Sequence, residues 1–160
     1  MVVFISSSQR EFKSLRTNLK SAIDTEELAH QRISKGVQIE HEKGLIDEDI
    51  QEAMEQASVY VGVIGARNSP WTKREFRIAL SRGLPLLVYQ FQKKANKKRS
   101  GMQKFVKSEI RSRRIRVRGP YTAESSLIDA ILNDLAIEAT ELAKEAARVR
   151  KTIHRRKVAV

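Results

Sequence analysis

Four stretches of the chain carry residue types whose spacing can do chemistry. The loop Gly65 to Thr72 holds Arg67, Ser69 and the only tryptophan, Trp71, and follows an apolar run. Open parallel sheets bind their ligands at such a place, just past the C-terminal end of a strand, so this loop is the candidate site. Ser6-Ser7-Ser8 stands between a second apolar run and a helix-forming stretch. Backbone N–H groups at a helix start can bind an anion, with serine hydroxyls as extra donors. The same serines have a plainer use, making the turn and capping the helix. Glu40-His41-Glu42 either faces the same crevice or forms a charged loop. Finally, residues 93 to 118 hold 12 basic residues against 1 acidic. That local field attracts polyanions, or else belongs to a solvated loop.

The elements that position these groups can be read from periodicity. Val59 to Ile64 and Leu84 to Phe91 are short apolar runs rich in β-branched and aromatic residues, as expected of buried strands in a parallel sheet. Between them Phe76, Ala79 and Leu80 mark one face of a helix that stops at Arg82-Gly83, before Pro85. Ser69-Pro70 or Thr72 begins this helix, and Thr72-x-x-Glu75 matches a capping box, which gives Glu75 a purely structural use.

Val2 to Ile5 is expected to be a central first strand. Ser8-x-x-Glu11 then opens a helix with Phe12, Leu15, Leu19, Ala22 and Ile23 on one face. Thr25 to Lys35 reads as the end of that helix and a loop, and Val37 to Ile39 as a short second strand. Asp47 to Ala57 reads as a helix with acids in its first turn, and Met102 to Ile110 as another. Ile115 to Val117 is expected to be a fifth, edge strand with its arginines outward, followed by a turn at Gly119 to Thr122. Right-handed crossovers then favour an α/β, flavodoxin-like, doubly wound parallel sheet of five strands in the order 2-1-3-4-5. Its switch point lies between strands 1 and 3, which brings Ser6 to Ser8 beside Gly65 to Thr72.

A last helix is expected from about Ala123 to at least Val149, roughly 40 Å long. Ile128, Leu135, Leu142 and Val149 repeat every seven residues, flanked by Leu132, Ala139, Ala146 and Ile153. The first half of this stripe can cover the sheet. The second half is expected to outrun the domain and pair with a second copy or a partner, which implies a homo-oligomer.

At 160 residues with a net charge of +12, the chain suits one domain: an α/β body over residues 1–122 that includes the basic segment 93–118, and the helix with its basic tail over 123–160. Residues 1–92 balance at 12 basic and 12 acidic, so the charge sits almost wholly in 93–118. The polyanion candidates are Lys93, Lys94, Lys97, Lys98, Arg99, Arg113, Arg114 and Arg116, with nucleic acid or anionic lipid as candidate partners. With no cysteine, disulfides and thiolate metal sites are excluded, and His30, His41 and His154 lack metal-ligand spacing, so no metal and no required cofactor is expected. Met1-Val2-Val3-Phe4 has no basic leader region, and no apolar run nears the ~20 residues of a membrane span. A soluble, cytoplasmic protein is expected.

Val3-Phe4-Ile5-Ser6-Ser7-Ser8, followed by Glu11-Phe12 and Arg16, resembles the opening of an uncharacterised TIR-like family whose members begin V-F-I-S-S-T. The likeness continues through Tyr60 to Gly65, Ser69, Glu75 and Gly83 to Val88, and so covers about residues 2 to 91. The wider relatives implied are TIR domains and nucleoside 2-deoxyribosyltransferases, which share the flavodoxin-like sheet. In these a glutamate on the helix after the third strand acts at a ribose C1′. Ser69-x-Trp71-x-x-x-Glu75-Phe76 looks like the TIR pattern Ser-x-Trp-x-x-x-Glu-Leu. By that resemblance Glu75 is the catalytic carboxylate, Ser6, Ser7 and Gly65 contact a nucleotide, and NAD or a nucleoside is the expected ligand or substrate. Trp71 would stack on the base and Arg67 would pair with a phosphate. The chain departs from the family at Ser58, where an aspartate is usual, and in a shorter loop from Gly65 to Ser69. The alternative to a nucleotide-binding domain is a non-catalytic nucleic-acid-binding or assembly module.

Overall fold

A computed structural model describes residues 1–25, 27–28, 31–32, 36–37, 47–67, 69–92, 101–109 and 115–158. Among these, strand β1 (Val3–Ser7) and helix α1 (Gln9–Thr25) are followed by three two-residue strands, β2 (Glu27–Leu28), β3 (Gln31–Arg32) and β4 (Gly36–Val37). Helix α2 (Asp47–Gln56), β5 (Val59–Ile64), α3 (Pro70–Ser81) and β6 (Leu86–Phe91) come next, then α4 (Gly101–Glu109), β7 (Ile115–Tyr121) and α5 (Glu124–Val158).

The main sheet is parallel throughout, in the order β4-β1-β5-β6-β7. Only four of its members are full strands. The fifth place, where Val37 to Ile39 was expected, is held by β4, whose two residues pair with Val3 and Phe4. The order is the expected 2-1-3-4-5, and the expected five-stranded sheet is corrected to four strands with a two-residue edge pairing at Gly36–Val37. Nor is the stretch from Thr25 wholly helix end and loop, because β2 and β3 pair antiparallel, Glu27 with Arg32 and Leu28 with Gln31. Glu40-His41-Glu42 lies outside the described residues.

Side chains alternate across each strand, and the two faces of the sheet build two cores. Val3, Ile5, Val61, Val63, Leu87 and Tyr89 pack under Phe12, Leu15, Leu19 and Ile23 of α1 and Leu127, Ile131 and Leu135 of α5. On the other face Phe4, Tyr60, Ile64 and Val88 pack under Ile50 and Met54 of α2, Phe76 and Ala79 of α3, and Met102 and Val106 of α4. The result is three layers, α/β/α. Burial on both faces is why β5, and β1 as far as Ile5, read as apolar runs with no alternation.

Strand β7 is longer than its apolar core, since it runs through the expected turn at Gly119-Pro120 to Tyr121, with an irregular register opposite Tyr89 to Phe91. Its arginines do not simply point outward. Arg116 reaches Glu138 and Arg118 reaches Asp134, each at 2.7 Å, and both acceptors are buried on α5. Asp134 also accepts a bond from Tyr89 Oη at 2.7 Å. The buried stripe of α5 is thus Leu127, Ile131, Asp134, Leu135 and Glu138; of the expected repeat, Leu135 belongs to it and Ile128 packs beside it, while Leu142 and Val149 are exposed. From Glu141 to Thr152 every residue is exposed.

Candidate functional site

Ser6 and Ser7 are neighbours in sequence, and the pleat of β1 sends them to opposite layers. Ser7 is buried on the α1 side, where Arg16 Nη1 donates to its carbonyl at 2.8 Å and to its hydroxyl at 3.3 Å. Arg16 is itself buried, so the guanidinium fixes the end of β1 from below. Ser6 is buried on the α3 side, where its hydroxyl donates to Glu75 Oε2.

How Glu75 arrives there follows from the helix start. Ser69 is the N-cap of α3: its Oγ accepts from the Thr72 N–H at 3.2 Å, with Pro70 in the first turn. The expected Thr72-x-x-Glu75 box is therefore not the cap. Glu75 lies on the second turn, beside Phe76 and Ala79 on the buried stripe, and only 2% of it is exposed. A carboxylate there is costly unless hydrogen-bonded, and no capping need accounts for it.

Tyr60 of β5 completes the cluster and was not anticipated. Its ring stacks with Phe4 at 6.1 Å and meets Phe76 edge-on at 6.0 Å. Gly62 makes room for it, since a Cβ there would lie 2.8 Å from Tyr60 Cε1. Burial, then the negative charge of Glu75, push the Tyr60 phenol well above its ordinary value, and a hydrogen bond with Ser6 works against them. Tyr60 stays protonated. Ser6, Tyr60 and Glu75 form a buried polar chain at the C-terminal end of the central strands. The parity of β1 and β5, with Ser6 opposite Gly62, was the available signal for it.

The loop after β5 is held from α1. Ala66 N–H and Arg67 N–H both donate to the Glu11 carboxylate, at 2.8 and 3.1 Å. Glu11 therefore does not close the expected Ser8-x-x-Glu11 box, although the Ser8 carbonyl accepts from the N–H groups of Glu11 and Phe12. Gly65 is buried between these groups: a Cβ there would overlap the Glu11 carboxylate and the rim of the Phe12 ring. The Arg67 side chain is exposed, Ser69 is half-buried, and Trp71 is 41% exposed on the outer side of the first turn of α3. Ser8 is half-buried.

Ser6, Gly65, Arg67, Ser69, Trp71 and Glu75 are thus gathered around the ends of β1 and β5, as the sheet order requires, and Ser7 faces away from them. Of the polyanion candidates, Arg116 is 43% exposed and paired with Glu138. Lys93, Lys94, Lys97, Lys98, Arg99, Arg113 and Arg114 lie outside the described residues. Ser58, at the family's aspartate position, accepts a bond from the Val2 N–H at 3.3 Å and so ties the chain start to β5. No helix among the described residues is long and apolar enough to cross a membrane.

Fold and cluster define an α/β domain with a buried glutamate at the C-terminal edge of a parallel sheet. The chain belongs to the family of the domain of unknown function DUF4062, which matches residues 2–136. No curated protein sequence matches it. Among solved structures it is similar to a CMP N-glycosidase of Clostridium botulinum, with 10% sequence identity and a TM-score of 0.58 over 82% of this chain and 98% of that one. At that identity the likeness is one of fold.

Proposed function

We propose that this domain binds a nucleotide or nucleoside at the C-terminal ends of β1 and β5, around Ser6, Ser8 and the segment Gly65–Thr72, and cleaves its N-glycosidic bond through Glu75, with NAD among the candidate substrates. The observation that carries the reading is Glu75 itself, a carboxylate buried at a sheet edge, held by Ser6 and excused from capping. The resemblance to TIR domains and nucleoside deoxyribosyltransferases and the glycosidase neighbour support it by analogy of fold.

In the reaction the bond from C1′ to the base nitrogen breaks, and its electron pair leaves with the base. Positive charge then grows on C1′ and the ring oxygen. One carboxylate beside C1′ stabilises that charge or attacks it, and does so strongly where water is excluded. Water finally supplies hydroxide to C1′; its proton goes to the departing base of a neutral nucleoside or nucleotide, and to solvent where NAD releases neutral nicotinamide, which leaves a free base and the hydroxyl sugar. Ser6 fixes the carboxylate, Trp71 offers a face to the base, and Arg67 pairs with a phosphate.

The test is incubation of purified protein with NAD, CMP and a panel of nucleosides, following free base. Release that disappears in Glu75→Ala and Glu75→Gln is expected. No release from any substrate by the wild type would discard the reading.

A second reading, a nucleic-acid-binding module, is favoured by two contacts on one ring. Lys73 Nζ and the Arg77 guanidinium of α3 lie 5.3 and 5.0 Å from the centre of the Phe105 ring of α4. This joins basic residues of α3 to the strongly basic segment. It requires affinity for duplex or single strand that falls steeply with salt and is unchanged in Glu75→Ala.

A further inference from the structure

The Glu11 contact has a form that helix packing does not require. Two successive backbone N–H groups, from Ala66 and Arg67, converge on one carboxylate, the arrangement by which main-chain amides cradle oxyanions. The cradle is built around its occupant. Gly65 is bare where a methyl would overlap that carboxylate, and the Phe12 ring covers the glycine and packs edge-on against Phe91 at 5.9 Å. The occupant rides on a separate piece of helix, because Phe12, with φ −128° and ψ 31°, breaks α1 directly after Glu11. The Arg67 side chain is exposed next to the cradle, with no carboxylate among the described residues in ion-pair contact with it.

We propose that the Ala66 and Arg67 amides, together with the Arg67 guanidinium, form an oxyanion site for a ligand phosphate, and that Glu11 fills this site as an internal competitor. A phosphate presents the same geometry as the carboxylate with more charge, and it can also engage Arg67, which Glu11 leaves unused. Ligand binding then moves Glu11 and the turn that carries it out of the cradle. The inference rests on the nucleotide reading only for the source of the phosphate.

The experiment is a titration of inorganic phosphate into ¹⁵N-labelled full-length protein, following the Ala66 and Arg67 amide resonances in wild type, Glu11→Ala and Glu11→Gln. A tethered competitor acts at high effective concentration, so Glu11→Ala is expected to bind phosphate at these two amides at least about tenfold more tightly than wild type. Glu11→Gln keeps the shape without the charge and is expected to fall between them. Adding Arg67→Ala to either variant weakens binding by about threefold or more. Equal affinity in wild type and both variants, shifts confined to other residues, or no saturable shift in the variants overturns the proposal. If Glu11→Ala disturbs resonances across the sheet, the Glu11→Gln comparison decides alone. Base release plays no part in this readout. A silent glycosidase assay therefore leaves the site standing, and a failed titration leaves Glu75 standing.

Discussion

Glu75 earns its place by what it does not do. Ser69 caps α3, which frees Glu75 to turn inward and meet Ser6, and the two hold each other across 69 positions of sequence. Loss of the carboxylate in Glu75→Gln is expected to lower base release by about a thousandfold, and Ser6→Ala, which removes only its hydrogen bond, by about ten- to a hundredfold, measured as kcat/KM on the best substrate. Tyr60 supplies an independent check. Its folded phenol ionises well above the ordinary 10.0, so the folded state keeps a proton that the unfolded chain loses. Stability from this source is whole below pH about 10 and falls as pH rises beyond it. Urea unfolding between pH 8 and 11 should show that fall. It should be shallower in Tyr60→Phe, with part of the slope remaining from Tyr89, whose phenol is raised by burial and by its bond to Asp134. The resemblance of Ser69-x-Trp71-x-x-x-Glu75 to the TIR pattern pointed to the glutamate, whereas the residues alone offered it a capping use. Its partners were less legible, because Tyr60 reads as one more apolar strand residue and Glu11 as one more capping acid. Only the pleat and the third dimension separate those uses.

At the scale of elements, α5 is fastened to the sheet by charge as well as by packing. Asn18 of α1 donates to Glu124 at its start, at 2.6 Å, and β7 supplies Arg116 and Arg118 to its inward carboxylates. The pairs are unequal in their consequences. Asp134 is buried and satisfies both Tyr89 and Arg118, so Asp134→Ala strands a buried hydroxyl and should cost roughly 2–4 kcal/mol. Arg118 is about half exposed, and Arg118→Ala should cost less, roughly 1–2 kcal/mol, because Tyr89 still donates to the buried Asp134. Paired urea titrations measure the difference. The hydrophobic pattern of α5 misdirected the sequence reading here. A search for apolar residues every seventh position finds Ile128, Leu135, Leu142 and Val149, of which only Leu135 lies in the buried stripe, and it passes over a stripe in which two of five positions are acids.

For the whole molecule, strand order was largely legible, since alternating βα units and right-handed crossovers leave few arrangements. The exceptions are the two-residue β4 edge and the β2–β3 pair, because two residues are too few to show a strand's period of two. The exposed run of α5 leads to a further expectation. Nothing between Glu141 and Thr152 is buried, so truncation after Thr140 should leave stability within about 0.5 kcal/mol, a melting shift of a few degrees at most, and leave base release unchanged. Calorimetry of the two lengths checks it, and a large drop would mean that the distal helix is packed in solution.

Position 65 finally offers a mechanical handle on the molecule. Because the glycine is wedged against the Glu11 carboxylate and the Phe12 ring, Gly65→Ala inserts a permanent spacer in the joint between the β5 loop and α1. One methyl group would prise the loop from its clasp with no ligand added. The Ala66 and Arg67 amides should then exchange with deuterium faster than in the wild type, while those of β6 hold their protons as before.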